Sequence, residues 1–349
     1  MSQGTLHIRG QRSTDWWDVY DLRRATGGML SLISPDQVRD EFAQPQENTW
    51  PLVAEIGAPD DPKVIARMMI RLGRWRRGHT ASFEFERHPD FAYASVRELL
   101  GEAIRVAEKW WNRQRLDVTL PAKDVGAIEL FASFGFVQEA RLRASLRIAG
   151  ALVDEVILAR VTGDAARRRA VAPRRTERGQ RDRHPIRVTV RGGSRDDWEA
   201  HHAIWSQPSV IWGTLQIPHA SADWNRIRVQ DRRPDNFWLL VAEVDGKVVG
   251  TSGVHFGERN RSHTGRVGMM VDTMHQGKGV GSALMSAAVD LAENWLGLTR
   301  IQLEVYPDNV PGTALYEKFG FEREGVLRGF AFRDGEYVDV IVMARLKAR

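Results

Sequence analysis

Glycine recurs at alternate positions in Gln276-Gly277-Lys278-Gly279-Val280-Gly281-Ser282. Glycine permits backbone torsions and close approaches denied to other residues. Where such a run joins a strand to a helix, successive N–H groups converge on one spot and the positive helix end reinforces them. A diphosphate fits a nest of this kind. An ordinary tight turn uses the same residues, and the glycines alone do not separate the two readings. Lys278 is open in the same way, as added charge beside a phosphate or as a solvated lysine. Further on, Tyr316 taken by itself reads as an aromatic on a helix packed against a sheet.

The elements that must carry these residues follow from period and turn chemistry. A short strand is expected at 187–191 and an amphipathic helix at 194–206. Strands at 237–244 and 247–255 flank Asp245-Gly246, a strong hairpin signal. A strand at 265–272 precedes the glycine run. The helix after it, 280–295, places Val280, Leu284, Ala288, Leu291 and Trp295 at helical spacing. A strand at 300–306, a helix at 311–319 and a hairpin over Asp334-Gly335 complete a mixed α/β layer fold built on a mixed sheet.

The same plan is written twice. Arg300-Ile301-Gln302-Leu303-Glu304-Val305, Pro307-Asp308-Asn309 and Ala314-Leu315-Tyr316-Glu317-Lys318-Phe319-Gly320-Phe321 repeat Arg115-Leu116-Asp117-Val118-Thr119-Leu120, Ala122-Lys123-Asp124 and Glu129-Leu130-Phe131-Ala132-Ser133-Phe134-Gly135-Phe136, at a constant offset of 185. Leu52-Val53-Ala54-Glu55 repeats in Leu240-Val241-Ala242-Glu243, and Gly78-His79-Thr80 in Ser262-His263-Thr264. Two domains are expected, at 1–162 and 187–349, joined by a linker at 163–186 rather than stacked as a solenoid. A length of 349 residues suits two domains.

Composition narrows the chemistry. There is no cysteine, which excludes disulfides, thiolate metal sites and cysteine nucleophiles. Nothing calls for a metal. The formal charge of +5 resides in 163–186, where eight arginines meet three acidic residues. That stretch is poor in apolar residues and carries Pro173 and Pro185, so it reads as a charged tether. Without interleaved aromatics for base stacking, nucleic acid is not the expected partner. No signal peptide and no apolar run of about 18 residues is found, so a cytoplasmic protein without membrane contact is expected.

At this point the second copy resembles the GNAT superfamily of acetyl-CoA-dependent N-acetyltransferases. Its pyrophosphate loop, (Gln/Arg)-x-x-Gly-x-(Gly/Ala), is met by Gln276, Gly279 and Gly281. Its downstream pattern is met by Asn309, Tyr316, Gly320 and Phe321, although Gly312 stands where alanine is commoner. The resemblance implies that Gln276, Gly277, Lys278, Gly279, Val280, Gly281 and Ser282 hold the diphosphate of acetyl-CoA. It also implies that Met270 and Val271 pair with the pantetheine arm through their backbone, and that Asn309 lies near the thiol end. Tyr316 takes the general-acid position, where a phenol can protonate the departing thiolate. The base is less defined among Glu304, His263, His255 and a water chain; Glu304, on the strand beside the expected acetyl site, is preferred. Gly213-Thr214-Leu215-Gln216-Ile217-Pro218-His219 and Gly335-Glu336-Tyr337-Val338-Asp339 resemble bacterial L-amino-acid N-acetyltransferases.

The first copy departs from these motifs. Aligning the helices through Trp111 and Trp295 sets Ala92 at Gln276, Ser95 at Gly279 and Arg97 at Gly281. Phe131 replaces Tyr316 and Asp124 replaces Asn309. Residues 1–162 are therefore expected to keep the fold without binding acetyl-CoA. The expected reaction is acetyl transfer to the primary amine of a small molecule, an amino acid above all. A polyamine, an aminoglycoside-like drug, a cysteinyl glycoside and a protein N-terminus stand as other acceptors, and a non-enzymatic acyl-CoA sensor as the contrasting class. Many single-domain relatives dimerise, and an internal pair could replace such a dimer, so a monomer or homodimer is expected.

Overall fold

The computed structural model describes residues 6–25, 34–44, 46–58, 61–167, 186–230 and 236–347. The chain divides into two compact units whose main stretches meet at Arg168 and Arg169. Most of the expected linker, 168–185, lies outside the described residues.

The first unit runs β1 (His7–Gly10), α1 (Trp16–Ala25), α2 (Pro35–Ala43), β2 (Thr49–Ala58), β3 (Asp61–Leu72), β4 (Thr80–Arg87), α3 (Arg97–Arg105), β5 (Arg115–Pro121), α4 (Val125–Ala132), β6 (Val137–Ile148), β7 (Ala151–Val161) and a single turn, α5 (Gly163–Ala166). Its strands lie in the order β1-β2-β3-β4-β5-β7-β6. All pairs are antiparallel except β4 with β5.

The second unit repeats this plan with β8 (Thr189–Gly192), α6 (Trp198–Trp205), α7 (Pro208–Gly213), α8 (Ala222–Gln230), β9 (Phe237–Val244), β10 (Lys247–Phe256), β11 (Thr264–Val271), α9 (Val280–Asp290), β12 (Arg300–Val305), α10 (Val310–Lys318), β13 (Glu322–Arg333) and β14 (Glu336–Leu346). The strand order is β8-β9-β10-β11-β12-β14-β13, and β11 with β12 is the parallel pair. The mixed α/β expectation holds in both units. Both expected hairpin turns form, with positive φ at Asp245 and Gly246 and at Asp334 and Gly335. Two consecutive left-handed residues match the right-handed twist of the strands they join.

Each helix after the parallel-pair strand ends in a π-helical turn, Val106–Trp110 in the first unit and Leu291–Trp295 in the second. This corrects the expected apolar stripe. The wider turn shifts the face, so Ala107 and Ala292 are buried while Trp110 and Trp295 are 72% and 78% exposed. It also puts Trp110, not Trp111, opposite Trp295. The helices therefore match at the offset of 185, and Leu284, Met285 and Ala288 fall opposite Leu99, Leu100 and Ala103, all buried.

In the second unit one sheet face packs on α9 and α10 through Val267, Met285, Ala288, Leu303, Val305 and Tyr316. The other face packs on α6–α8 through Ile204, Trp205, Val210 and Val229, with Met270 against them. Strand alternation sends Val267, Met269 and Val271 one way and Arg266, Gly268 and Met270 the other.

Candidate active site

The parallel pair comes apart. Thr264, Gly265 and Arg266 pair with Arg300, Ile301 and Gln302, and the ladder stops there, although β11 continues to Val271 and β12 to Val305. Beyond this fork the β11 backbone has a partner on its β10 side, where Met270 meets Thr251 and Val271 meets Gly250. An extended ligand arm can add to a strand edge opened in this way. Met270 and Val271 lie on this stretch of β11, and the Val271 carbonyl accepts a 3.1 Å bond from Gln276 Nε2.

At the end of β11 the glycine run takes the conformation only glycine adopts readily. Gly277 and Gly279 have φ of +75° and +96°, with Gly279 capping α9, and no atom lies within 4 Å of a Cβ on either. Both glycines and Lys278 are exposed, so the loop presents backbone rather than side chains. Gly281 serves differently. A Cβ there would come within 3.2 Å of Leu315, so it permits close packing of α9 on α10. Val280 is buried beneath the loop and Ser282 half-buried in the first helical turn.

Tyr316 follows Leu315 on α10. Tyr316 is 9% exposed within the apolar cluster that holds Val267 and Leu303, the first residues past the fork. Burial pushes its phenol up to about 12. Asn309 caps α10, its side chain accepting the Gly312 N–H at 3.0 Å. A Cβ on residue 312 would sit 2.7–2.9 Å from that amide, which explains glycine where alanine is commoner.

The opposite face of the fork is the open one. Gly268 is exposed, with no atom within 4 Å of its Cβ position. Glu304 lies on this face, its carboxylate held by Arg266 of the neighbouring strand. His255, directly opposite Arg266, is exposed and stacks on Phe237 at 4.3 Å. His263 does not join the site. It precedes β11 at the closed end of the ladder, about 26 Å from Val271 at ~3.3 Å per residue.

Three further groups were not legible in the sequence. Gln207 donates to Asp272 Oδ2 at 2.5 Å and accepts from the Thr273 N–H at 2.8 Å, tying the start of α7 to the turn before the nest. Asp272 also bonds His275 Nδ1 and the Met274 N–H. Burial raises its carboxyl pKa, and these bonds outweigh that and leave it below its ordinary range. Asp308 is bracketed by Arg333 at 2.8 Å and Trp212 Nε1 at 2.9 Å, with the guanidinium over the Trp212 ring. Gln216 Nε2 approaches Met270 Sδ at 3.9 Å and its Oε1 accepts from Arg228 at 2.8 Å. Only Asp272, opening a turn after a strand, carried a local signal.

In the first unit the corresponding spaces are filled. Strand register (Thr80 opposite Thr264) puts Glu84 at Gly268, Glu86 at Met270, Arg67 at Thr251 and Arg87 at Val271. Glu86 bonds Arg23 at 2.9 Å and Arg67 at 3.2 Å, and Arg71 holds Glu84 at 2.8 Å. The Tyr93 hydroxyl bonds Asp124 at 2.5 Å, its ring lies 2.4 Å from a Cβ position on Gly126, and Arg87 stacks on it at 4.1 Å. Arg97 is not the obstruction expected. The corrected register sets Val96 at Gly281, and Arg97 turns to Ser133 Oγ and the Phe134 ring. No described residue between 88 and 97 has positive φ.

In the second unit a mixed sheet thus forks at its parallel pair, with a left-handed glycine turn at the mouth. Residues 198–321 match the profile of the Acetyltransferase (GNAT) family. The C-terminal half is 41% identical over 161 residues to the L-amino acid N-acetyltransferase AaaT of Escherichia coli strain K12, spanning 46% of this chain and 98% of that enzyme. Spermidine N(1)-acetyltransferase of Vibrio cholerae is 27% identical over 168 residues, 46% of this chain and 94% of that enzyme. A crystal structure of the Vibrio cholerae spermidine N-acetyltransferase with CoA and spermine covers 46% of this chain and 95% of that one at 25% identity, with a TM-score of 0.42. The chain belongs to the GNAT family of acetyl-CoA-dependent N-acetyltransferases.

Proposed function

We propose that residues 187–349 move the acetyl group of acetyl-CoA to the α-amine of an amino acid, and that 1–162 are a non-catalytic copy. The observation that carries this reading is the left-handed glycine turn at Gly277 and Gly279, set at the mouth of the fork between β11 and β12 with the open face at Gly268 beside it.

Acetyl-CoA supplies an activated thioester carbonyl. The nest of Gln276 to Ser282 takes its diphosphate, Met270 and Val271 the pantetheine arm, and Asn309 the region of the thiol. A β11 N–H beyond the fork polarises the carbonyl while the neutral amine forms the new C–N bond. As the C–S bond breaks, Tyr316 gives its hydroxyl proton to the departing sulfur. Glu304, with Arg266, passes the amine proton toward solvent.

The acceptor class follows from charge. Three carboxylates of the second unit are engaged: Glu304 by Arg266, Asp308 by Arg333, Asp272 by His275 and Gln207. A polyamine needs carboxylates for its distal ammonium groups. The 41% identity to an amino-acid acetyltransferase supports the same choice. The filled spaces around Tyr93 and Glu86 support a first unit without cofactor. The test is a competition in which amino acids, spermidine and an aminoglycoside share one reaction and mass spectrometry identifies the acetylated product. Acetylated amino acid is expected, and acetylspermidine alone would replace this reading with the polyamine one.

A further inference from the structure

We propose that Gln216 and Arg228 form the subsite that receives the carboxylate of the acceptor. This rests on the amino-acid reading and adds the groups that hold the end of the substrate that does not react. The amine must reach the fork over Gly268, where the face is open. The next residue on that face is Met270, about 7 Å along the strand. That is roughly the span from the amine of an α-amino acid to a partner hydrogen-bonded to its carboxylate. There Gln216 Nε2 stands 3.9 Å from Met270 Sδ, and Arg228 Nη1 bonds Gln216 Oε1 at 2.8 Å.

The arginine is placed rather than loose. Its guanidinium lies 4.7 Å from the Trp205 ring centre and 4.5 Å from that of Trp224, and the next residue, Val229, is buried against Ile204 and Trp205. Burial pulls its pKa down, so an anion at this point is favoured. A planar guanidinium meets a carboxylate through parallel N–H donors, which a lysine cannot copy. The Gln216 amide links the two, its Oε1 accepting from Arg228 while its Nε2 lies 3.9 Å from Met270 Sδ. The acidic groups of the site do not compete, since each is held by the partners named above.

The test compares each of the nineteen thiol-free amino acids with its own C-terminal amide, by steady-state thiol release from acetyl-CoA. An amide's amine is the less basic and so the more available at neutral pH. Without a carboxylate subsite, the amide should be the better acceptor. The unaltered protein should instead favour the acid. In Arg228→Gln the acid-to-amide ratio of kcat/KM should fall about 10- to 100-fold, chiefly through KM. Arg228→Lys should fall between. Gln216→Glu, which sets a like charge against the substrate, should lower the ratio as well and carries the test should Arg228→Gln not fold. Acetyl-CoA affinity checks the fold of each variant. A ratio unchanged in folded variants, or an unaltered protein that prefers amides, overturns the subsite while leaving the amino-acid reading. Acetylation of other amines but no amino acid overturns both.

Discussion

Tyr316 combines two properties that a proton donor to a thiolate needs. Its phenol sits beside the fork, and burial pushes it up to about 12, so the proton is present throughout the neutral range. Replacing Tyr316 by Phe keeps the ring and removes the proton. Turnover should fall about 10- to 1,000-fold with acetyl-CoA affinity nearly unchanged; equal turnover would remove the assignment. The rate should rise with pH as the acceptor amine loses its proton, without an alkaline fall below about pH 10. The same burial has a stability consequence. An unfolded phenol ionises near ~10, while the folded one waits until about 12. The stabilisation is complete below the unfolded value and is lost as pH climbs through this window. The melting temperature of the unaltered protein relative to Tyr316→Phe should therefore fall between pH 9 and pH 11. At this scale the sequence named Tyr316, Asn309 and the glycines, because the motif keeps them close along the chain. Arg228, Arg333 and Gln207 were invisible, since each acts on residues far away in sequence.

The nest, the fork and the caps are properties of elements, and their tests differ from those of a reacting group. Gly279 holds φ at +96° with open space around its Cβ position. Gly279→Ala should strain the turn by about 1 kcal/mol without a clash. The chain should fold, while acetyl-CoA affinity, read by titration calorimetry, falls about 10-fold or more as the N–H groups lose their common aim. Gly312→Ala should act through contact instead, pushing the Asn309 side chain off its cap at a stability cost of about 1 kcal/mol in a denaturant melt. Hairpins at Asp245-Gly246 and Asp334-Gly335 were legible because two positive φ values demand such residues. The π-helical turns were not, because a one-residue widening leaves the apolar spacing almost intact. Pairing Trp111 with Trp295 misaligned the two helices by one residue and made Arg97 look like the residue that closes the first nest. In the structure Arg97 turns to Ser133 and Phe134, while Tyr93, with Arg87 over its ring, bonds Asp124, the counterpart of Asn309.

Across the chain, what the two units share is scaffold. Arg115 with Glu139 recurs as Arg300 with Glu324, both arginines fully buried. Arg9 with Asp15 and Glu55 recurs as Arg191 with Asp197 and Glu243, and Arg160 with Glu108 as Arg345 with Glu293. Removing one partner from a buried pair strands the other charge, so such pairs are costly to change. The glycine floor, the left-handed turn and the phenol occur in the second unit, and their places in the first hold Glu84, a loop without positive φ, and Phe131. Titration of the full chain should accordingly find one acetyl-CoA bound per chain, and two would return the first unit to function. The most direct test of the whole account is thiol release from acetyl-CoA against separate panels of amino acids, polyamines and aminoglycosides. The chain has no cysteine, so with thiol-free acceptors the liberated coenzyme is the one thiol in the assay. Release with amino acids, lowered about 10-fold or more in Tyr316→Phe, is the predicted result. Acetyl-CoA binding with no release for any amino acid would contradict it.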